Sequence, residues 1–151
     1  MHSSVEDKFD SKTTLKGTEK SDRIYGYEGN DQIEVGAGND MVRGGLGADT
    51  VKLEALGADT KLQANDADVW LDFNLAEGDK IDVSGLLIDA NQDSLSDFIA
   101  LDYNEKTKVM TVSVDRDGQA TGHKMTEVLY LANQEQDLTL DQLLKNNQII
   151  F

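Results

Sequence analysis

Large apolar residues recur at every ninth position in one stretch of the chain: Ile24, Ile33, Val42 and Val51. Each sits between outward-facing neighbours (Arg23 and Tyr25, Gln32 and Glu34, Met41 and Arg43, Thr50 and Lys52). That alternation predicts a minimal strand with a single inward side chain. The residues between the strands are rich in glycine, asparagine and aspartate and predict turns. Broken at its period, residues 17–52 read GTEKSDRIY, GYEGNDQIE, VGAGNDMVR and GGLGADTVK. A fixed period decides architecture before any local propensity does.

The pattern changes on both sides. Residues 1–16 are polar and aperiodic and read as a leader or linker, with Val5, Phe9 and Leu15 available to cover the first turn of the repeat. After Lys52 the phase slips, because Asp59 lies ten residues beyond Asp49. From Asp59 the nine-residue step resumes at Asp68, placing Trp70 in an inward slot and leaving Lys61 ill-suited to its own. Beyond it, VWLDF and KIDVS read as two strands joined by the polar turn NLAEGD. SLSDFIA predicts a short helix capped by Ser94 or Ser96. IALDY, KVMTVSV and TEVLYLA predict three more strands. LTLDQLLKNNQIIF predicts a closing amphipathic helix, with Leu138, Leu140, Leu143 and Leu144 on one stripe, and a last strand.

The turns carry the candidate chemistry. Glycines at the first, second and fourth positions permit close backbone approach and positive φ, so carbonyls can aim inward at one spot. An aspartate at the sixth position (Asp22, Asp31, Asp40, Asp49) adds a carboxylate oxygen. In a single copy these residues would only mark a turn; four copies in phase point to a cation. Hard oxygen donors in an adaptable shell suit calcium rather than magnesium or zinc.

The consensus G-G-x-G-x-D-x-U-x, which GGLGADTVK meets in full, resembles the calcium-binding nonapeptide of RTX proteins. The resemblance implies an all-β chain: a right-handed parallel β-roll followed by a β-rich cap with one or two short helices. Two nonapeptides would make each turn of the roll, so Asp22 would share a calcium with Asp40, and Asp31 with Asp49. After the slip, Asp40 is expected to pair with Asp59 and Asp49 with Asp68. The candidate ligands, carboxylates and loop backbone together, are Asp22; Gly26, Glu28, Gly29 and Asp31; Gly36, Gly38 and Asp40; Gly44, Gly45, Gly47 and Asp49; Gly57 and Asp59; and Asp68. About three to five Ca2+ ions are expected. The Asp22 site is expected to be the weakest, since Thr18 and Lys20 replace glycines there. The expected units are residues 1–16, the roll at 17–68, and a cap at 69–151 continuous with it. Terminal repeats must hide their open core, a role that falls to Trp70, Leu71, Phe73 and Ile81.

Charge narrows the partners. Twenty-nine acidic against 14 basic side chains leave −15, which argues against nucleic acid and against an anionic membrane. It also sets the fold against itself unless cations neutralise part of it. No cysteine is available for a disulfide or a thiolate metal site. No apolar run is long enough to span a membrane. Residues 1–16 lack an apolar core, so no N-terminal secretory signal is expected. DRDGQATGHK fails as an EF-hand, because Lys124 stands where the twelfth-position glutamate is required. His2 and His123 have no ligand partners in sequence, and neither HExxH nor GxSxG occurs, so no catalysis is expected.

The segment DFNLAEGDKIDVSGL and the ending QIIF are similar to the tails of type I secretion substrates, and more narrowly to those of very large bacterial surface adhesins. That resemblance implies a secreted or surface-bound protein of a Gram-negative bacterium, with the type I secretion machinery as a transient partner. The isolated module is expected to be a monomer. One alternative is the C-terminal module of a secreted protease, lipase, epimerase or toxin. Another is a roll that binds ice or polysaccharide, which the mixed outward positions disfavour.

Overall fold

The computed structural model describes residues 3–6, 14–18, 21–36, 38–54, 67–87, 90–116, 118 and 125–151. The nine-residue period becomes a coil whose successive short strands fall alternately into two facing sheets. One sheet takes β1 (Ser3–Glu6), β3 (Asp22–Tyr25), β5 (Met41–Arg43) and β7 (Asp68–Trp70), all parallel. The other takes β2 (Thr14–Lys16), β4 (Gln32–Glu34), β6 (Thr50–Glu54) and β8 (Lys80–Gly85), also parallel. Residues 1–16, expected as a leader, thus supply two strands in register with the repeat; short polar strands carry little sequence signal of their own.

The inward residues form two continuous ladders. Ile24, Val42 and Trp70 are register partners in one sheet. Leu15, Ile33, Val51 and Ile81 are partners in the other. All are buried. Fully burying a side chain of this size contributes about 1.5–3 kcal/mol, so each turn of the coil gains chiefly from its two inward residues. Charges beside that ladder complement one another: Lys16, Glu34, Lys52 and the buried Asp82 stand opposite one another in alternating sign, with Lys16 Nζ 3.7 Å from Glu34 Oε2.

The cap extends both sheets without a seam. β9 (Ile99–Asn104), β10 (Val109–Val114) and β11 (Thr126–Leu131) form an antiparallel meander. β11 joins β7 in parallel, with Leu131 opposite Trp70. Helix α1 (Leu140–Lys145) buries Leu143 and carries a capping box between Thr139 and Gln142. β12 (Ile149–Ile150) adds to β8 in parallel, Ile149 opposite Ile81. The two strands of VWLDF and KIDVS lie in different sheets, so the turn between them is one more edge loop of the coil. The helix expected in SLSDFIA is a 3-10 helix over Gln92–Asp97; Asn91 caps it, and Ser94 is the third residue reaching back.

Candidate metal centre

Among the described residues the sheet-to-sheet crossings are loops, and loops on one edge stack. One edge carries residues 17–18, 21, 35–36, 38–40 and the start of β7; the other carries 26–31, 44–49 and 71–79. Stacking is close. Gly45 has φ +87, and a β-carbon there would overlap the carbonyl of Tyr27 in the neighbouring loop. Gly47, at φ +111, stands in the same way against the carbonyl of Gly29. Leu46 N donates to Tyr27 O at 2.8 Å, and Glu28 bridges to Leu46. The Glu28 side chain is exposed, so that residue brings its backbone to the loop. Gly26, Gly29, Gly36, Gly38 and Gly44 occupy the remaining turn positions of these loops.

The aspartates stack with the loops. Asp22 N donates to Asp40 Oδ1 at 2.8 Å, and Asp40 N to Asp68 Oδ1 at 2.8 Å. On the other edge Asp31 N donates to Asp49 Oδ1 at 3.0 Å, and Asp49 N to Asp79 Oδ1 at 2.8 Å. None of these six side chains is more than 3 % exposed. A backbone N–H of the neighbouring layer thus reaches Oδ1 of Asp40, Asp49, Asp68 and Asp79, and Asn74 N reaches the second oxygen of Asp79. Oδ2 of Asp40 and Oδ2 of Asp49 are buried and accept no hydrogen bond. At Asp22 the pattern differs, because Thr18 N (2.6 Å) and Thr18 Oγ1 (3.0 Å) bond its carboxylate.

Such a carboxylate cannot stay ionised cheaply. Burial pushes Asp49 up to about 8, with Asp79, Asp31 and Asp72 adding like charge. Burial likewise raises Asp79 to about 7 and Asp40 to about 6, the latter with repulsion from Asp22. A divalent cation inverts this, because the ion becomes the largest local charge and favours the ionised form. Among the described residues no three acidic side chains converge on one metal-sized space. A bound ion would therefore have to draw most of its shell from oxygens other than carboxylates, such as the loop carbonyls, which fits calcium's hard-oxygen preference. The residues present fit calcium on those grounds: orphaned buried carboxylate oxygens, close-stacked glycine loops and oxygen-only donors.

One expected pairing is corrected, and the other, Asp40 with Asp59, reaches beyond the described residues. Asp40 N donates to Asp68 Oδ1, because β5 hydrogen-bonds directly to β7. Asp49 is paired with Asp79 and not with Asp68, because β8 follows β6 in the second sheet. Gly57 and Asp59, with Lys61, lie outside the described residues. Asp79 and Asp72 were missed from the sequence. The D-x-U signature could have found Asp79, since Asp79, Lys80 and Ile81 repeat the aspartate-to-apolar spacing of every earlier copy. Asp72 has no such signal; it accepts from Gly44 N and Gly45 N, both at 2.9 Å, across the loop stack.

The loop bearing both aspartates is held by the C-terminal part of the chain. Asn133 Nδ2 donates to Leu71 O and Gln134 Nε2 to Phe73 O, each at 2.9 Å. Gln148 Nε2, nearly inaccessible to solvent, donates to Leu75 O at 3.0 Å and Asp79 O at 2.8 Å.

Residues 14–51 match the RTX calcium-binding nonapeptide repeat, in four copies. That stretch thus carries calcium-binding RTX repeats. It is similar to the AlgE6R3 subunit of the Azotobacter vinelandii mannuronan C5-epimerase, at 26 % identity and a TM-score of 0.56, covering 94 % of this chain and 79 % of that one. It is similar also to the AlgE6R2 subunit of that epimerase, at 25 % identity and a TM-score of 0.59, covering 94 % and 89 %. These likenesses support the β-roll architecture. No curated protein matches the chain. No helix among the described residues is long and apolar enough to cross a membrane.

Proposed function

We propose that this chain is a calcium-triggered folding module, without catalytic function of its own, that carries the uncleaved type I export signal of a large secreted or surface adhesin. The observation that carries the calcium part is the buried, unsatisfied Oδ2 of Asp40 and of Asp49. An orphaned buried carboxylate oxygen costs the fold several kcal/mol, so the roll is disfavoured until an ion takes the place of the missing partner.

Export follows from linkage. Extracellular calcium modules bind with dissociation constants of about 10⁻⁴ to 10⁻³ M. Cytosolic calcium is far lower, so a chain of net charge −15 stays unfolded and can be threaded through a channel. Outside, each site held at about ten times its dissociation constant adds roughly 1.4 kcal/mol to the folded state. Several sites joined by the aspartate ladders then fold the roll together. The apolar ending Ile149–Ile150–Phe151 is legible to a transporter while the chain is unfolded, and Ile149 becomes core once β12 docks on β8.

A second reading, that the parent protein is a secreted enzyme, is favoured by the likeness to epimerase subunits over 94 % of this chain. It leaves the calcium mechanism unchanged. Circular dichroism in chelator and in millimolar calcium tests that mechanism: disorder giving way cooperatively to β structure is expected, with magnesium a poor substitute. Equal structure in excess chelator would sink it. Deleting residues 138–151 and assaying export through a type I system tests the signal, and normal export of the shortened chain would refute it.

A further inference from the structure

We propose that the cap holds a binding pocket for a small organic polycation, an aliphatic diamine or polyamine. The pocket lies between loop 71–79 and the segment 133–138, with a volume of about 680 Å³. None of the ladder aspartates lines it, and it falls wholly outside the matched repeats, which end at residue 51.

Three amides that line the pocket are all turned the same way. Asn133 Nδ2 donates to Leu71 O at 2.9 Å. Gln134 Nε2 donates to Phe73 O at 2.9 Å and to Ala132 O at 3.2 Å. Gln148 Nε2 donates to Leu75 O at 3.0 Å and to Asp79 O at 2.8 Å. A backbone carbonyl only accepts, so these contacts fix which end of each amide faces the backbone. The other end is a carbonyl oxygen, and none of the three accepts a hydrogen bond among the described residues. Gln134 is 8 % exposed and Gln148 2 %. Neither glutamine oxygen is sealed away, unlike Oδ2 of Asp40 and of Asp49, so each opens on the pocket that its residue lines.

Buried acceptors without buried donors select the ligand. Glu77 from the loop and Glu135 from the facing segment add carboxylates, and no lysine, arginine or histidine lines the pocket. Phe73, Leu75 and Leu138 contribute apolar surface. An alkylammonium matches each part, because its head is three donors with no acceptor and its methylene stem packs on apolar side chains. Engaging carboxylates from both walls takes more than one such head. At the exposed rim Asn74 keeps its amide donors, and Gln136 and Asn146 can turn either way, so the deep part of the pocket sets the preference. A neutral polyol would bring acceptors of its own to oxygens that offer no donor. A bare metal ion is too small for the space, and among the described residues no three acidic side chains converge on one.

The test titrates the full chain, folded in millimolar calcium, with cadaverine, a five-carbon diamine, and with the five-carbon diol as its uncharged match. Calorimetry is expected to show one site for the diamine and binding about tenfold weaker, or none, for the diol. The double variant Glu77→Gln, Glu135→Gln is expected to weaken the diamine by about tenfold. Glu105→Gln, which removes a charge from the exposed turn between β9 and β10, is expected to leave it unchanged. Nuclear magnetic resonance gives a reading that needs no variant: the side-chain amide signals of Gln134 and Gln148 should shift along the same titration. An occupant joining the loop to the facing segment should also lower the calcium midpoint of folding. Absence of diamine binding, equal binding of the diol, or undiminished affinity in the double variant overturns the pocket. So does an equal loss in Glu105→Gln, which would show diffuse attraction to an acidic chain, or a raised calcium midpoint, which would show competition for the roll. A chain already folded in chelator would overturn the function proposed above and leave this test intact.

Discussion

Asp49 donates its backbone N–H to Oδ1 of Asp79 at 2.8 Å, across 30 residues of sequence. The bond repeats, between repeat and cap, the contact that joins Asp31 to Asp49 within the repeat. A ladder of this kind would couple neighbouring sites, because an ion that ordered one loop would also order the donor of the next.

The ladder ranks the aspartates. Asp49→Ala removes the acceptor of Asp31 N and the most deeply buried carboxylate of its edge. Asp22→Ala removes a carboxylate that Thr18 already engages. A hydrogen bond to a charged group is worth about 1.5–3 kcal/mol, so Asp49→Ala should raise the calcium midpoint of folding by about tenfold or more. Asp22→Ala should raise it less. Calcium titrations followed by circular dichroism check the order, and equal shifts would contradict it.

Acid should partly replace calcium. In the calcium-free fold Asp49 is pushed from 3.8 to about 8, and Asp79 and Asp40 to about 7 and about 6. The folded state then binds more protons than the unfolded state between pH about 4 and about 8. Stability of the calcium-free fold therefore falls as pH rises through that window and is greatest at its acid end. Bound calcium displaces those protons, so calcium affinity should rise with pH over the same range. Denaturant melts in chelator at pH 5 and pH 8 test the first statement. Calorimetry in buffers of different ionisation enthalpy tests the second, since proton release on binding is required.

Two glycines with the same backbone angle should behave differently. Gly45 and Gly78 both have φ +87. A β-carbon on Gly45 collides with the Tyr27 carbonyl, whereas one on Gly78 meets only the Ala48 side chain at 3.5 Å. Gly78→Ala should cost the left-handed strain alone, about 1–2 kcal/mol. Gly45→Ala should cost more and also disturb the loop carbonyls, shifting the calcium midpoint. Urea melts at saturating calcium separate the two, and equal losses would show that the loop stack is looser than described.

Gln148 should act at a distance from its own segment. Its amide bonds Leu75 O and Asp79 O, tying the chain end to the loop that carries Asp72 and Asp79. Gln148→Ala takes a donor from the buried Asp79 carbonyl and should cost about 1–3 kcal/mol. If the tie positions the loop, the calcium midpoint should rise as well. A stability loss with an unmoved midpoint would reduce Gln148 to packing.

The nine-residue period determined which residues turn inward and where the aspartate-bearing turns fall; that the chain coils into a roll was implied by the resemblance of those turns to the RTX nonapeptide. The period did so because strand alternation and glycine turns act over a few residues, and four copies repeat the same local instruction. The closing helix was legible for the same reason, in the leucine stripe ending at Leu144. Only the tertiary structure decided what lies beneath each repeat after Lys52. A spacing of 28 residues from Asp40 to Asp68, or 30 from Asp49 to Asp79, carries no period to read. The choice falls to interlayer hydrogen bonds and to the burial of Trp70 beside Val42 and Ile81 beside Val51, which reward one register and expose core in the others. The role of Asp72 was invisible for the same reason: its partners are backbone amides of Gly44 and Gly45, brought to it only when the coil closes.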